Sequence, residues 1–145
     1  MRRLAASVGI VVARGDEGPV GIAATSVTSL TVDPTAVLIC VNRAASLHAL
    51  LVPTAPLSVN LLSRGQQDVS AAFGGGLPHS ERFSVGEWRT GGNGLPMLVD
   101  AQANLSCVID AMLAYGTHSI VIARVLEVTL SGEVDPLIYH DGRYL

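Results

Sequence analysis

Short apolar stretches separated by turn residues recur along the whole chain. The stretch Val8–Ala13 ends at the turn-forming segment Arg14–Pro19, and Val20–Ser26 is the expected return strand of a hairpin. The continuous apolar run Ala36–Val41 predicts a strand buried on both faces, and Leu57–Leu62 predicts another strand. The first half of the chain is therefore predicted to be rich in β-structure.

The second half alternates apolar and polar residues over longer stretches. Leu105–Leu113 predicts a strand in which every second residue shares one face: Leu105, Cys107, Ile109, Ala111 and Leu113. Ser119–Leu130 predicts a long strand that begins buried on both sides, with Ile120, Ile122, Leu126, Val128 and Leu130 on one face and Val121, Ala123 and Val125 on the other. Two short strands flank Asp141-Gly142, a favoured hairpin turn.

Helices are predicted at two places only. Ser46–Val52 is a short helix candidate with Ser46 as its N-cap, and Gln66–Phe73 is a second, ended by three glycines. Residues 74 to 94 are predicted to form a long loop. About seven strands with two helices favour a mainly β fold, a Greek-key barrel with helices outside, formed by one domain over residues 1–145.

Composition narrows the function classes. Hydrophobic residues make up 49% of the chain and charged residues 14%, which predicts a sizeable core and part of the apolar surplus in a subunit interface. The net charge of -3 gives no field that favours nucleic acid or an anionic membrane. All nine basic residues are Arg, which excludes a P-loop and a Schiff-base lysine. With no signal peptide or membrane-length segment in view, we expect a cytoplasmic protein in which Cys40 and Cys107 are buried structural thiols.

Several common active sites are also excluded by spacing. The four histidines do not pair with cysteines or carboxylates at metal-ligand spacing, so no metal site is predicted. No Gly-x-Ser-x-Gly elbow is present, and the glycine clusters at 74–76 and 91–94 do not fit the dinucleotide fingerprint. A nicotinamide would therefore have to bind without a Rossmann domain.

Two polar segments are candidates for ligand binding. Five of the eight residues from Ala24 to Thr31 carry hydroxyls, which fits either an exposed edge strand with local hydrogen bonds or a cradle for a flavin edge. The segment Asn42–Ser46 joins a strand end to the predicted helix start. It fits either a simple capped helix or a phosphate site to which Arg43 adds a charged donor.

Taken together, these segments resemble the flavin reductase-like family, whose fold is the FMN-binding split barrel. The chain is similar to the reductase components of two-component flavin monooxygenases, such as that of 4-hydroxyphenylacetate 3-monooxygenase. The matching segments stand in the expected order over nearly the whole chain: Gly21–Leu30, Pro34, Val37–Asn42, Ser46, Leu57–Ser63, Gln66, Phe73-Gly74, Glu81–Ser84, Trp88, Gly116–Val125, Pro136–Tyr139 and Gly142–Tyr144.

The resemblance implies NAD(P)H-dependent reduction of FMN for a partner monooxygenase, by a homodimer. It also implies roles for individual residues. The flavin ring edge and ribityl chain would be wrapped by Thr25, Ser26, Val27, Thr28 and Ser29. The ribityl and phosphate end would be held by Asn42 and Ser46, with Asn60 lining the pocket. Arg82 would reach either the phosphate or the nicotinamide dinucleotide from the loop. His118 would be the catalytic residue beside the stacked nicotinamide, and Tyr144 would cover the site, in this chain or from a second subunit.

Some departures and alternatives remain open at this point. The family usually extends further at both ends, and His48 stands where a Thr often follows the phosphate-binding Ser. NADH and NADPH are equal candidates as donor, and FAD is an alternative to FMN. Competing functions are an oxidoreductase that retains its flavin and serves another acceptor, and a flavin-binding domain without activity.

Overall fold

A curled antiparallel sheet dominates the computed structural model, which describes all residues from Met1 to Leu145. The sheet has seven strands in the order β3-β2-β6-β9-β10-β5-β4. In chain order these are β2 (Gly9–Gly15), β3 (Gly18–Ala24), β4 (Val27–Val32), β5 (Thr35–Asn42), β6 (Pro56–Leu61), β9 (Ala103–Tyr115) and β10 (His118–Leu130). The other strands form a sheet of β1 (Ala6–Ser7), β11 (Ile138–His140) and β12 (Arg143–Tyr144), and a pair of β7 (Trp88–Thr90) and β8 (Pro96–Leu98).

All seven strands of the main sheet contribute to one hydrophobic core. Val11, Ile39, Val59 and Val121 are fully buried in it, and Val27 of β4 packs against it from the sheet edge. One cluster can touch seven strands only if the sheet curls around it. The two edge strands, β3 and β4, are consecutive in the chain and do not pair with each other. This arrangement confirms the predicted mainly β fold, and the unpaired edges form the opening of the split barrel.

A second core lies on the outer side of β2. It contains Phe73, Val69 and Leu137 and is covered by helix α1 (Gln67–Ala71), which continues as a wider turn over Ala72–Gly76. The rings of Phe73, Phe83 and Trp88 lie about 5 Å apart, with centroid distances of 5.0, 5.4 and 5.0 Å. These rings anchor the chain after α1 against the barrel.

The predicted long loop is therefore partly wrong. Residues 74 to 94 include a 3-10 helix, His79–Ser84, and strand β7. The many glycines and polar residues of this segment masked its two aromatic anchors, Phe83 and Trp88, which hold it by packing on Phe73 rather than by a periodic sequence.

The helix predicted at Ser46–Val52 is also largely wrong. Only a single 3-10 turn forms, at His48–Leu50, and no side chain caps it. Leu47 and Leu51 are buried in the main core on either side of this turn. Their burial determines the path of the chain here, and three residues are too few for a helix dipole.

A bulge alters the predicted alternation of β9. Ala123 pairs with Ile109 and Ile122 with Ala111, so Asp110 is the extra residue. Beyond it the faces exchange, because one extra residue reverses the orientation of all that follow. Met112 consequently packs against the core, while Ala111 and Leu113 are exposed.

The two hairpin predictions are confirmed. Strands β2 and β3 pair through a turn at Asp16 and Glu17, and β11 and β12 pair through Asp141-Gly142. Both residues of the second turn have positive φ, 53° and 82°, as a tight primed turn requires. No helix of this structure is long and apolar enough to span a membrane.

Candidate functional site

A cavity of about 470 Å³ opens where β3 passes into β4. Its walls come from five places in the chain: the end of β3 with the link to β4, the end of β5 with the turn after it, the wide turn Ala72–Gly76, the 3-10 helix His79–Ser84, and the start of β10. Its size is that of small-molecule sites in proteins. Six of the predicted site residues line it: Thr25, Ser26, Asn42, Ser46, Arg82 and His118.

Thr25 and Ser26 form the link between the two sheet edges. The Ser26 hydroxyl donates to the carbonyl of Cys40 at 2.7 Å, and the Ser26 carbonyl accepts from the Cys40 N–H at 3.2 Å. These bonds fix the link against β5. The backbone N–H groups of Thr25 and Ser26 donate to no protein acceptor. The link therefore offers two N–H donors beside two hydroxyls.

Strand register brings Asn42 and His118 together. The two residues are paired partners on β5 and β10, although 76 positions of the sequence separate them. Asn42 Oδ1 accepts from the N–H of Ala44 at 2.9 Å, which folds the following turn back beside the cavity. His118 is exposed, and its Nδ1 lies 2.8 Å from the hydroxyl of Thr117.

Arg82 is the only cation among these residues that is buried, at 8% exposure. Its Nε donates to the carbonyl of Leu77 at 3.1 Å and its Nη1 to the carbonyl of Gly21 at 2.9 Å. Neither salt bridge of the protein involves it. Burial lowers the pKa of the Arg82 guanidinium, because desolvation disfavours its charged form. A buried cation without an acidic partner favours an anion in the adjoining cavity.

Ser46 and His79 meet across the cavity wall. Ser46 Oγ lies 3.0 Å from His79 Nε2, although 33 positions separate them in sequence. The hydroxyl therefore bridges to the 3-10 helix instead of capping a helix of its own. His79 lines the cavity, and sequence reasoning missed it.

The basic residues nearest Ser46 in sequence lie elsewhere. Arg43 lines a separate open cleft, and its Nη1 reaches the carbonyl of Gly116 at 3.5 Å. His48 Nε2 lies 2.8 Å from the hydroxyl of Ser119 and so ties the 3-10 turn to β10. Neither residue lines the main cavity. The predicted phosphate donor Arg43 is thus replaced at this cavity by Arg82.

Four predicted site residues line neither this cavity nor the smaller one beside it. Val27, Thr28 and Ser29 belong to edge strand β4, where Val27 packs on the core and the two polar side chains are exposed. Asn60 is fully buried on β6, and its amide is committed to the carbonyl of Ile10 and the N–H of Leu98. The sequence showed a polar strand end, but the strand end lies inside the protein.

Tyr144 lines a smaller adjoining cavity of about 260 Å³. Thr25 and Gly74 line both cavities, so the two are neighbours. The Tyr144 hydroxyl lies 2.8 Å from that of Ser70, and its ring packs edge-on against Tyr139 with centroids 5.4 Å apart. Tyr144 thus flanks the main cavity within its own chain.

The chemistry of the main cavity is that of an anion or a neutral polar ligand. No Asp or Glu lines it. Its polar groups are hydroxyls, an amide, two imidazoles and one guanidinium, together with the free N–H groups of the link. Such a wall can match the donors and acceptors of a heterocyclic edge and can bind a phosphate at the Arg82 end.

One local signal could have identified His79. A 3-10 helix has three residues per turn, so His79 and Arg82 share a face. The motif match at Glu81–Ser84 places Arg82, and the helix then brings His79 to the same side. Identifying His79 in this way requires knowing that residues 79–84 form a 3-10 helix, and the sequence predicted a loop there.

Comparisons with known proteins agree with this chemistry. Residues 1–145 match the family described as flavin reductase like domain. The chain is 40% identical, over 99% of its length and 83% of the relative, to the NADH-dependent FMN reductase RutF of Stutzerimonas stutzeri. Among solved structures, it is similar to an NADH:FAD oxidoreductase of Streptomyces globisporus in complex with NAD and FAD fragments. That match has a TM-score of 0.91 and 28% identity and covers 99% of this chain and 86% of the other. It is also similar to BorF, the flavin reductase component of a bacterial two-component tryptophan halogenase, with a TM-score of 0.90, 29% identity, and 99% and 91% coverage.

Proposed function

The chain belongs to the flavin reductase like family, and on this premise we propose that it reduces FMN with NADH and supplies the reduced flavin to a partner monooxygenase. The observation that carries the proposal is the main cavity, which combines neutral hydrogen-bonding groups, one buried unpaired Arg and no carboxylate. Relatives 36 to 40% identical to the chain carry the name FMN reductase (NADH), which supports the choice of flavin and donor.

The link between β3 and β4 is the proposed contact for the flavin ring edge. The free N–H groups of Thr25 and Ser26 and their hydroxyls supply donors and acceptors in alternation, without added charge. Val27, Thr28 and Ser29 lie on the adjoining edge strand, so we assign them a supporting role in holding the link rather than a direct contact. Asn60 has no role toward the ligand in this proposal, because its amide is committed within the core.

The turn after β5, with the 3-10 helix His79–Ser84 beside it, is the proposed phosphate site. Asn42 ends β5 and Ser46 stands on the turn after it, and the Ser46 N–H donates to no protein acceptor. Arg82 contributes a desolvated positive charge, which interacts with an anion more strongly than an exposed one does. FMN carries its phosphate at the end of the ribityl chain, so a ring at the link and a phosphate here fit one ligand.

Nicotinamide and flavin supply the hydride chemistry when bound, and no protein nucleophile is needed. The task of the chain is to hold two rings in contact and exclude water. His118 is exposed at the cavity rim, where its imidazole can position a nicotinamide against the ring. Tyr144 lines the adjoining cavity, which shares Thr25 and Gly74 with the main one, and is proposed to limit access of water from that side.

A homodimer is part of the proposal. Large apolar side chains remain exposed on the two longest strands, among them Leu113 at 61%, Leu126 at 59% and Leu130 at 75%. Such a surface favours association. We expect a dimer by light scattering after gel filtration, and a monomer for Leu126→Arg if this surface forms the interface.

We also propose a cytoplasmic location, to which the two unpaired cysteines are suited.

The function is tested by oxidation of NADH and of NADPH with FMN, FAD or riboflavin as acceptor. We expect saturable turnover that is fastest with NADH and FMN, and catalytic transfer of reduced flavin to an added two-component monooxygenase. Absence of turnover with every pair of donor and acceptor would refute the proposal. Retention of flavin through gel filtration would instead indicate an oxidoreductase that keeps its cofactor.

A further inference from the structure

His79 faces the proposed phosphate site from the side opposite the turn after β5. Its Nε2 lies 3.0 Å from Ser46 Oγ, and one helical turn further along the 3-10 helix stands Arg82. Ser46, His79 and Arg82 therefore line the main cavity from two separate segments, and Ser46 and His79 are in contact. None of the roles proposed above uses His79.

We propose that His79 is an additional phosphate-binding residue, one that makes the preference of the enzyme for FMN over riboflavin depend on pH. This inference rests on the proposed function and extends it. In the free protein, Ser46 and His79 bond to each other. With a phosphate at the proposed site, both turn to its oxygens, and the imidazolium donates a charge-assisted hydrogen bond.

Charged and titratable groups face His79 from two sides. On its outer side it shares a second cleft with Asp16 and Glu17 of the β2–β3 turn. On its inner side the main cavity holds Arg82 and His118 and no carboxylate, and Glu81 is exposed on its own helix. Histidine is the side chain that changes charge between about pH 5 and pH 8.

The sign of the effect follows from the charge. A protonated His79 adds attraction for the phosphate, so the ratio of the riboflavin Kd to the FMN Kd is larger at about pH 5.5 than at about pH 8. Riboflavin lacks the phosphate, so its Kd reports every contribution to flavin binding except the phosphate contacts. The FMN phosphate itself titrates near pH 6, in the same direction for all variants, so only differences between variants measure His79.

The experiment compares wild type with His79→Gln, His79→Arg and the control His140→Gln, by titrating each with FMN and with riboflavin at both pH values. His140 lines none of the cavities described above. We expect His79→Gln to weaken FMN about fivefold at the lower pH with riboflavin unchanged, an effect in the range of an exposed charge-assisted bond. His79→Arg should bind FMN tightly at both pH values, and His140→Gln should match wild type.

The outcomes separate this inference from the proposed function. If wild type binds no flavin, the proposed function fails and the inference with it. If wild type binds FMN and His79→Gln keeps the wild-type ratio of the two Kd values at both pH values, the inference alone is overturned. Equal weakening of FMN and riboflavin would also overturn it, because it would indicate that His79 only holds the 3-10 helix in place.

Discussion

Replacing Asn60 by alanine tests whether this residue holds the barrel together or binds the flavin. Asn60 lies on β6, which pairs with β2 on one side and β9 on the other, and it is fully buried. Its Oδ1 accepts from the N–H of Leu98 at 2.9 Å and from Asn104 Nδ2 at 2.8 Å, and its Nδ2 donates to the carbonyl of Ile10 at 3.2 Å. Three buried polar groups thus depend on one amide.

The expected loss of stability follows from the hydrogen bonds that each of these three groups retains in Asn60→Ala. Asn104 Nδ2 retains its bond to the Leu98 carbonyl at 3.1 Å, so its loss is partial. The Leu98 N–H is left without an acceptor, and an unsatisfied buried donor costs about 1–3 kcal/mol. With the weaker losses at Ile10 and Asn104, we expect Asn60→Ala to lower the free energy of unfolding by about 3 kcal/mol. For a chain of this size that corresponds to a fall in Tm of about 9 °C.

The assay combines urea and thermal unfolding, followed by circular dichroism, with FMN titration of the folded variant. We expect the FMN Kd to stay within about twofold of wild type. Asn93→Ala is the matched control, because Asn93 also bonds one carbonyl, of Leu57, and one N–H, of Leu95, both at 3.2 Å, but is only half-buried. It should cost about 1 kcal/mol. A stable Asn60→Ala protein with FMN binding weakened tenfold would refute the structural assignment and restore a ligand role.

Three further predictions concern the site and the core. Ser46→Asp should repel the FMN phosphate and weaken FMN binding at least tenfold while sparing riboflavin, since like charges oppose each other at close range; equal weakening of both ligands in a fluorescence titration would contradict the phosphate assignment. His118→Ala should lower kcat more than FMN affinity in steady-state NADH oxidation, and a proportional loss in both would argue against a role in positioning nicotinamide. Ser106→Ala should raise Tm by about 3 °C in thermal unfolding, because the Ser106 hydroxyl is buried without a hydrogen-bond partner; a lower Tm would show that the hydroxyl has a partner after all.

Local signals in the sequence were sufficient for the hairpins and most strands. Asp141-Gly142 specifies its turn by the backbone freedom of two adjacent residues. The apolar run Ala36–Val41 specifies a strand by composition alone, but its predicted burial on both faces is wrong in part, because Leu38 and Cys40 are only half-buried and Cys40 lines the cavity. The ordered family segments identified the flavin reductase family, which the match over residues 1–145 shows. These features depend on neighbours within a few positions or on order along the chain.

Errors arose where a distant contact overrode the local pattern. Ser46 looked like an N-cap, but its hydroxyl bonds His79, and the buried Leu47 and Leu51 limit the helix to one turn. The apolar and polar alternation predicted for β9 runs through Asp110 without a break, whereas pairing with β10 places a bulge at this residue. In each case the competing partner lies at least ten residues away, beyond the reach of a periodicity argument.

The sequence by itself determined that this chain is a mainly β protein of the flavin reductase family, and it predicted a ligand site rich in hydroxyls. Alternation, turn chemistry and segment order carry that information. Only the tertiary structure decided which polar residues face the cavity. Asn60 is buried in the core and Arg43 lines another cleft, whereas His79 and Arg82 line the cavity. The physical reason is that a polar side chain lies where its hydrogen bonds can be satisfied, and those partners are assembled by folding.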